Sequence, residues 1–178
     1  MTQKYGRSFA GKVALVTGGS RGIGEGIVRR LASDGAAVAF TYSNSEEKAK
    51  RLASEIDAAG GKVLPIKADS ASIEDIRAAV NQVVKEFGGI DIFVNNAGIM
   101  IRGTIDSYSV EDFDRMLAVN VRAAFVGMQA ASQAMKDGGR IILIGSNTAV
   151  RTAFPGSGVY SMTKAALTGL VQIGRAHV

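Results

Sequence analysis

Short apolar runs alternate with amphipathic helical stretches along the whole chain, and the runs show no polar alternation of their own. Strands that are apolar on both faces must be covered on both faces. That confines the fold to a parallel sheet with helices packed above and below it. The runs are 12–17, 36–42, 63–66, 90–94 and 141–144. Pro65 cannot donate to a sheet ladder, so the third run belongs at an edge. Helical spacing links Ile23, Ile27, Val28 and Leu31 in the first intervening stretch. A charged helix follows from Glu46 to Ala59, closed by Gly60-Gly61. Ile73, Ile76, Val80, Val83, Val84 and Phe87 mark the third helix. Phe113, Met116, Leu117, Val121, Ala124, Phe125, Met128 and Met135 mark a long fourth. Ser72 with Asp75, and Ser109 with Asp112, read as capping boxes at two of the helix starts. A loop of small residues, 145–159, leads to a last helix from about Tyr160. The expected fold class is α/β, a doubly wound parallel sheet in one domain.

The bulk properties fit a globular domain of 178 residues, 47% apolar and 21% charged. The formal charge of +5 raises nucleic-acid binding as a function. The basic residues are scattered, however, and Lys48, Lys50 and Arg51 mix with Glu46, Glu47 and Glu55 as on a solvated helix face. No aromatic residues interleave with a basic stripe, so no nucleic-acid partner is expected. The chain has no cysteine, which excludes disulfides and thiolate metal sites. No metal is expected. With no signal-peptide pattern and no bilayer-length apolar stretch, the expectation is a cytoplasmic protein without membrane contact.

Thr17-Gly18-Gly19-Ser20-Arg21-Gly22-Ile23-Gly24 lies between the first strand and its helix. A backbone must approach a pyrophosphate closely there, and the helix N-terminus attracts the anion. The alternative is a purely structural glycine turn. An acid at the end of the second strand would bind the ribose 2′-hydroxyl of NAD and repel a 2′-phosphate. This chain has Thr41-Tyr42-Ser43-Asn44 instead, with no acid, and Arg21 in the turn could meet a phosphate. NADP is therefore expected over NAD, unless Arg21 is merely a surface charge.

Tyr160 and Lys164 stand one helical turn apart, and Ser146 ends the fifth strand. A phenol ordinarily titrates near ~10, and an ammonium held beside it favours the phenolate. Strand C-termini are where open α/β sheets place ligands. With no histidine beside Ser146 to act as its base, a hydrolase is disfavoured. Each feature has a plain reading: an exposed i,i+4 pair, a common strand-end serine. Asn120 sits on the apolar stripe of the long helix, either as a buried amide bonded to backbone or as a holder of a water near the site.

Together, Thr17-Gly18-x-x-x-Gly22-Ile23-Gly24, Asn95-Asn96-Ala97-Gly98, Asn120, Ser146 and Tyr160-x-x-x-Lys164 resemble the short-chain dehydrogenase/reductase family over residues 9–172. Within it the chain is similar to 3-oxoacyl-carrier-protein-reductase-like members. It also resembles the cyclic-diguanylate-binding biofilm-dispersal members. The resemblance implies a Rossmann-type sheet of order 3-2-1-4-5, with two further strands in whole family members. It implies an NADP-dependent oxidoreductase acting on a small carbonyl or alcohol, and a homotetramer or dimer when full length. Tyr160 would be the general acid and also a cofactor contact, Lys164 its electrostatic support and a ribose ligand, Ser146 the substrate-oxygen donor, and Asn120 the anchor of a relay water. Gly18, Ser20, Arg21, Gly22, Ile23 and Gly24 would hold the cofactor phosphates. Tyr42, Ser43 and Asn44 would meet the ribose end, and Asp69 with Ser70 the adenine. Asn95, Ala97 and Gly98 would line the cofactor channel. The rival expectation is a nucleotide-sensing regulator on the same scaffold.

The residues Ile173-Gly174-Arg175-Ala176-His177-Val178 read as the translation of a common sequencing adapter. The expectation is a gene fragment whose native sequence ends at Gln172, the alternative being a glycine helix stop. His177 then has no function. An uncovered fifth strand at 141–144 is expected to make this polypeptide by itself poorly soluble or inactive.

Overall fold

The computed structural model describes residues 8–152 and 154–175. Strands β1 (Val13–Val16), β2 (Ala37–Tyr42), β3 (Lys62–Lys67), β4 (Ile90–Asn95) and β5 (Met135–Leu143) form one sheet. Their order is β3-β2-β1-β4-β5, and every pairing is parallel. Helices α1 (Gly22–Ser33), α2 (Glu46–Ala58), α3 (Ile73–Phe87), α4 (Val110–Leu117), α5 (Ala123–Ala134) and α6 (Gly158–Arg175) alternate with the strands. The fold class and strand order are those expected.

The double-sided apolar pattern has the expected cause. Ala14 and Val16 of β1 face Val28 and Leu31 of α1 and Leu52 and Ile56 of α2. The alternate residues Leu15, Ala39 and Phe93 face Val80 and Val83 of α3 and Ala131 of α5. Pro65 pairs with Phe40 on the edge strand β3, where its missing N–H costs no internal bond. The Ser72 and Ser109 hydroxyls accept bonds from the N–H groups of Asp75 and Asp112, each 3.1 Å, as the capping boxes require.

Four details differ from the sequence pattern. Ile23, in the first turn of α1, is 68% exposed. The fourth helix is interrupted by a π turn at Ala118–Arg122, which shifts the apolar stripe and leaves Phe125 46% exposed. Met135 ends the helical periodicity but begins β5. Ile90 pairs with Met135 and Ile92 with Arg140, so 136–139 stands opposite Asp91 alone. Gly138, at φ 82°, permits that bulge. Finally, α6 runs through Gly174 to Arg175 rather than stopping at the glycine. His177 and the rest of 176–178 lie outside the described residues. On the open edge, Ile142 of β5 is 46% exposed.

At the opposite end of the sheet from the strand C-termini, Asp91 ties β4 to β1. Its carboxylate accepts from Lys12 Nζ and from the Val13 N–H, both at 2.9 Å. Burial alone would raise this carboxyl, but the hydrogen bonds from Lys12 and Val13 outweigh it and hold it below the ordinary value. A depressed folded value stabilises the fold above the unfolded value of ~3.9, and that stability is lost as pH falls through the folded one. Asp91→Asn should therefore cost about 1 kcal/mol near neutrality, kept small by the exposure of Lys12. The gap from wild type should close under acid; denaturant melts between neutral pH and pH ~2.5 check this.

Candidate active site

Because every strand is parallel, all five C-termini open on one rim. The segments expected at the site follow these ends: 17–24 after β1, 42–44 at β2, 69–70 after β3, 95–98 at β4 and 146 after β5. The rim brings them together.

The glycine turn is built from both neighbouring strands. Gly18 N–H donates to Thr41 Oγ1 at 3.0 Å and Gly19 N–H to Thr41 O at 2.9 Å. Asn96 Nδ2 bridges the carbonyls of Thr17 and Gly18, each at 3.0 Å. Thr17 Oγ1 accepts from the N–H groups of Asn96 and Ala97, each at 3.0 Å. Gly18 and Gly22 take φ of 65° and 57°, which a side chain would strain. A Cβ on Gly19 would lie 2.5 Å from Phe40 Cβ. One on Gly24 would lie 2.5 Å from Asn96 Nδ2 and closer still to Gly18 O.

These residues fit a dinucleotide phosphate. Helix α1 starts with no side-chain cap, so its first N–H groups remain for an anion. Nothing lies within 4 Å of where a Gly22 Cβ would be, so the turn opens onto free space. Ser20 is buried, Arg21 exposed, Tyr42 half-buried, and Ser43 and Asn44 exposed, with no acid among them. Asp69 is exposed, and its Oδ1 accepts from Ala71 N–H at 2.9 Å, fixing the turn that carries Ser70. Asn95 is 2% exposed, and its Nδ2 has no partner among the described residues.

The reacting set lies on the β4–β5 side. Lys164 is 5% exposed and donates from Nζ to Ile144 O at 2.8 Å. The ammonium stands 6.0 Å from the Tyr160 ring centroid. Burial pushes Lys164 below the ordinary lysine value. Ser146 caps the 3-10 turn Asn147–Ala149 in extended conformation. Its Oγ shares a 2.9 Å bond with Thr148 Oγ1 and accepts from Thr148 N–H at 3.2 Å. A Cβ on Gly98 would lie 3.4 Å from both Asn120 Oδ1 and Lys164 Nζ.

Asn120 is fully buried inside the π turn. Its Oδ1 accepts from Ile99 N–H and its Nδ2 donates to Ile99 O, each at 2.9 Å. The amide is thus held by the backbone of Ile99. π turns occur often at functional positions, since the wider turn displaces one residue from helical register.

Thr17, Thr41, Asn96 and Thr163 were not among the expected site residues. Asn96 lay inside the quoted Asn-Asn-Ala-Gly motif, but its reach into the glycine turn depends on β1 and β4 being neighbours. A cavity of about 870 Å³ is walled by Tyr108, Phe113, Phe154 and Met162, with no wall from Ser146, Tyr160 or Lys164. Among the described residues no group of three acidic or histidine side chains is placed to hold a metal, and no helix is long and apolar enough to cross a membrane.

The sheet order, the glycine turn after β1 and the tyrosine–lysine helix against β5 define a doubly wound α/β protein of Rossmann type. It belongs to the short-chain dehydrogenase/reductase family: the family model described as short chain dehydrogenase matches residues 12–177. The chain is 57% identical to a short-chain dehydrogenase/reductase of Serratia marcescens, with a TM-score of 0.89 over 91% of this chain and 66% of that one. A short-chain dehydrogenase from Burkholderia cenocepacia, solved in complex with NADP, is 49% identical with a TM-score of 0.90, over 92% of this chain and 67% of that one. The cyclic-di-GMP-binding biofilm dispersal mediator protein of Escherichia coli is 41% identical over 93% of this chain. The chain spans 62 to 66% of the length of such curated relatives.

Proposed function

We propose that the whole protein is an NADP-dependent oxidoreductase that interconverts a small carbonyl compound and its alcohol. The observation that carries this reading is the buried Lys164 ammonium 6.0 Å from the Tyr160 ring centroid, on the rim that also holds the glycine turn. When bound, the nicotinamide supplies or accepts the hydride. Tyr160 gives its phenolic proton to the carbonyl oxygen in reduction and takes it back in oxidation. Lys164, desolvated and fixed by Ile144 O, stabilises the phenolate left behind. Ser146 exchanges its bond with Thr148 Oγ1 for one to the substrate oxygen, orienting it as charge develops. The cation near the turn and the acid-free end of β2 support NADP over NAD, as does the Burkholderia relative's NADP complex.

The experiment is NADPH oxidation by the full-length protein with a panel of ketones, diketones and acyl thioesters. Arg21→Ala should raise KM for NADPH about tenfold, the worth of one charge-assisted bond, and leave NADH unchanged. Equal effects on both cofactors would return Arg21 to a surface charge. The Escherichia coli relative favours a second reading, a cyclic-dinucleotide sensor. Binding of that nucleotide by calorimetry, with no turnover of any carbonyl, would establish it instead. The homo-oligomeric state of the whole protein belongs to this proposal and is checked by light scattering. So does native sequence continuing differently past Gln172, which sequencing the locus decides.

A further inference from the structure

The Thr163 hydroxyl bonds to two members of the reacting set at once. It donates from Oγ1 to the Tyr160 carbonyl at 2.7 Å and accepts from Asn120 Nδ2 at 3.0 Å. Thr163 and Asn120 are both 0% exposed, so water cannot replace either bond. We infer that Thr163 is a positioning residue, whose hydroxyl locks the orientation of the Asn120 amide and couples it to the helix that carries Tyr160 and Lys164. This rests on the catalytic reading of that set.

The polarity of the chain of bonds makes the lock specific. A threonine hydroxyl has one proton, and here the Tyr160 carbonyl takes it. The oxygen can then only accept from Asn120. The amide nitrogen meets that requirement with one N–H and meets Ile99 O with the other. The amide oxygen accepts from Ile99 N–H. A flipped amide would set oxygen against an oxygen with no proton to give, and nitrogen against an N–H. Each of these three bonds therefore reinforces the same orientation. The consequence reaches the ammonium, because Asn120 Oδ1 and Lys164 Nζ each lie 3.4 Å from the same Gly98 Cβ position.

The test uses the full-length protein with NADPH and its best carbonyl substrate. Thr163→Val keeps the shape and removes the hydroxyl. It should lower kcat about 10- to 30-fold and shift the pH profile of kcat, while KM and the NADPH dissociation constant from fluorescence stay within about threefold. Thr163→Ser should restore kcat to within about threefold of wild type. In an Asn120→Ala background, Thr163→Val should have little further effect on kcat, the signature of residues acting through one another. Should Thr163→Val not fold, the Thr163→Ser and Thr163→Ala pair differs by the same hydroxyl and carries the comparison. A melting temperature that falls while kcat and its pH profile stay unchanged would assign Thr163 to stability alone and overturn the inference. Full additivity with Asn120→Ala would overturn it too. Absence of turnover in the wild-type protein sinks the catalytic reading itself, which separates the two failures.

Discussion

Full-length protein carrying Tyr160→Phe should lose carbonyl reduction by about 10²–10⁴-fold in kcat, the usual worth of a positioned general acid. Only the proton donor is removed. The ring that faces Lys164 remains, so the ammonium keeps its neighbour and its bond to Ile144 O. The glycine turn lies on a different part of the rim and is untouched. NADPH affinity, read by fluorescence titration, should therefore stay within about threefold, placing the loss in the chemical step. Retention of more than a tenth of wild-type kcat would remove Tyr160 from the acid role. The mechanism would then need another proton source near Ser146.

The second large effect is expected from Gly24→Ala, a single added methyl group. Its carbon would overlap Gly18 O and the Asn96 amide that clamps the turn. Both neighbours are held: Gly18 by its N–H bond to Thr41 Oγ1, and Asn96 by its bonds to Thr17. Something must yield, and either choice opens the turn. Overpacking of this kind costs about 1–3 kcal/mol in stability. NADPH affinity should fall more than tenfold, because the N–H groups at the start of α1 no longer converge. Gly26→Ala, with nothing within 4 Å of its Cβ position, is the control on the same helix and should leave binding unchanged. Equal behaviour of the two variants would exclude the crowding argument.

The sequence carried most of the architecture because its signals were local. Runs apolar on both faces, the two serine caps and Pro65 each constrain a few neighbouring residues, and the sheet order followed from the family resemblance. Tyr160 and Lys164 were legible as a pair because helical spacing alone places them on one face. The π turn was not legible. Leu117-Ala118-Val119-Asn120-Val121-Arg122 continues the apolar rhythm of a helix, and only the hydrogen-bond pattern reveals the extra residue. The same turn explains why Phe125, on the expected buried stripe, is half exposed. The clamp by Asn96 and the hub at Thr163 were hidden for another reason. Both bridge elements far apart in sequence, and no local pattern records such a bridge. The start of β5 was obscured because Met135 fits the helical period better than it fits a bulged strand.

The π turn also decides which length change its own segment can absorb. Five residues of the wider turn sweep about the same rotation as four of an ordinary one. Removing one residue between 117 and 123 would therefore restore ordinary winding and leave α4 and α5 aimed much as they are, with Ala124 and Ala131 still buried. What such a deletion disturbs is the turn itself, and with it the station of Asn120 against Ile99. A one-residue gap here is thus tolerable to the packing on either side and costly only at that amide.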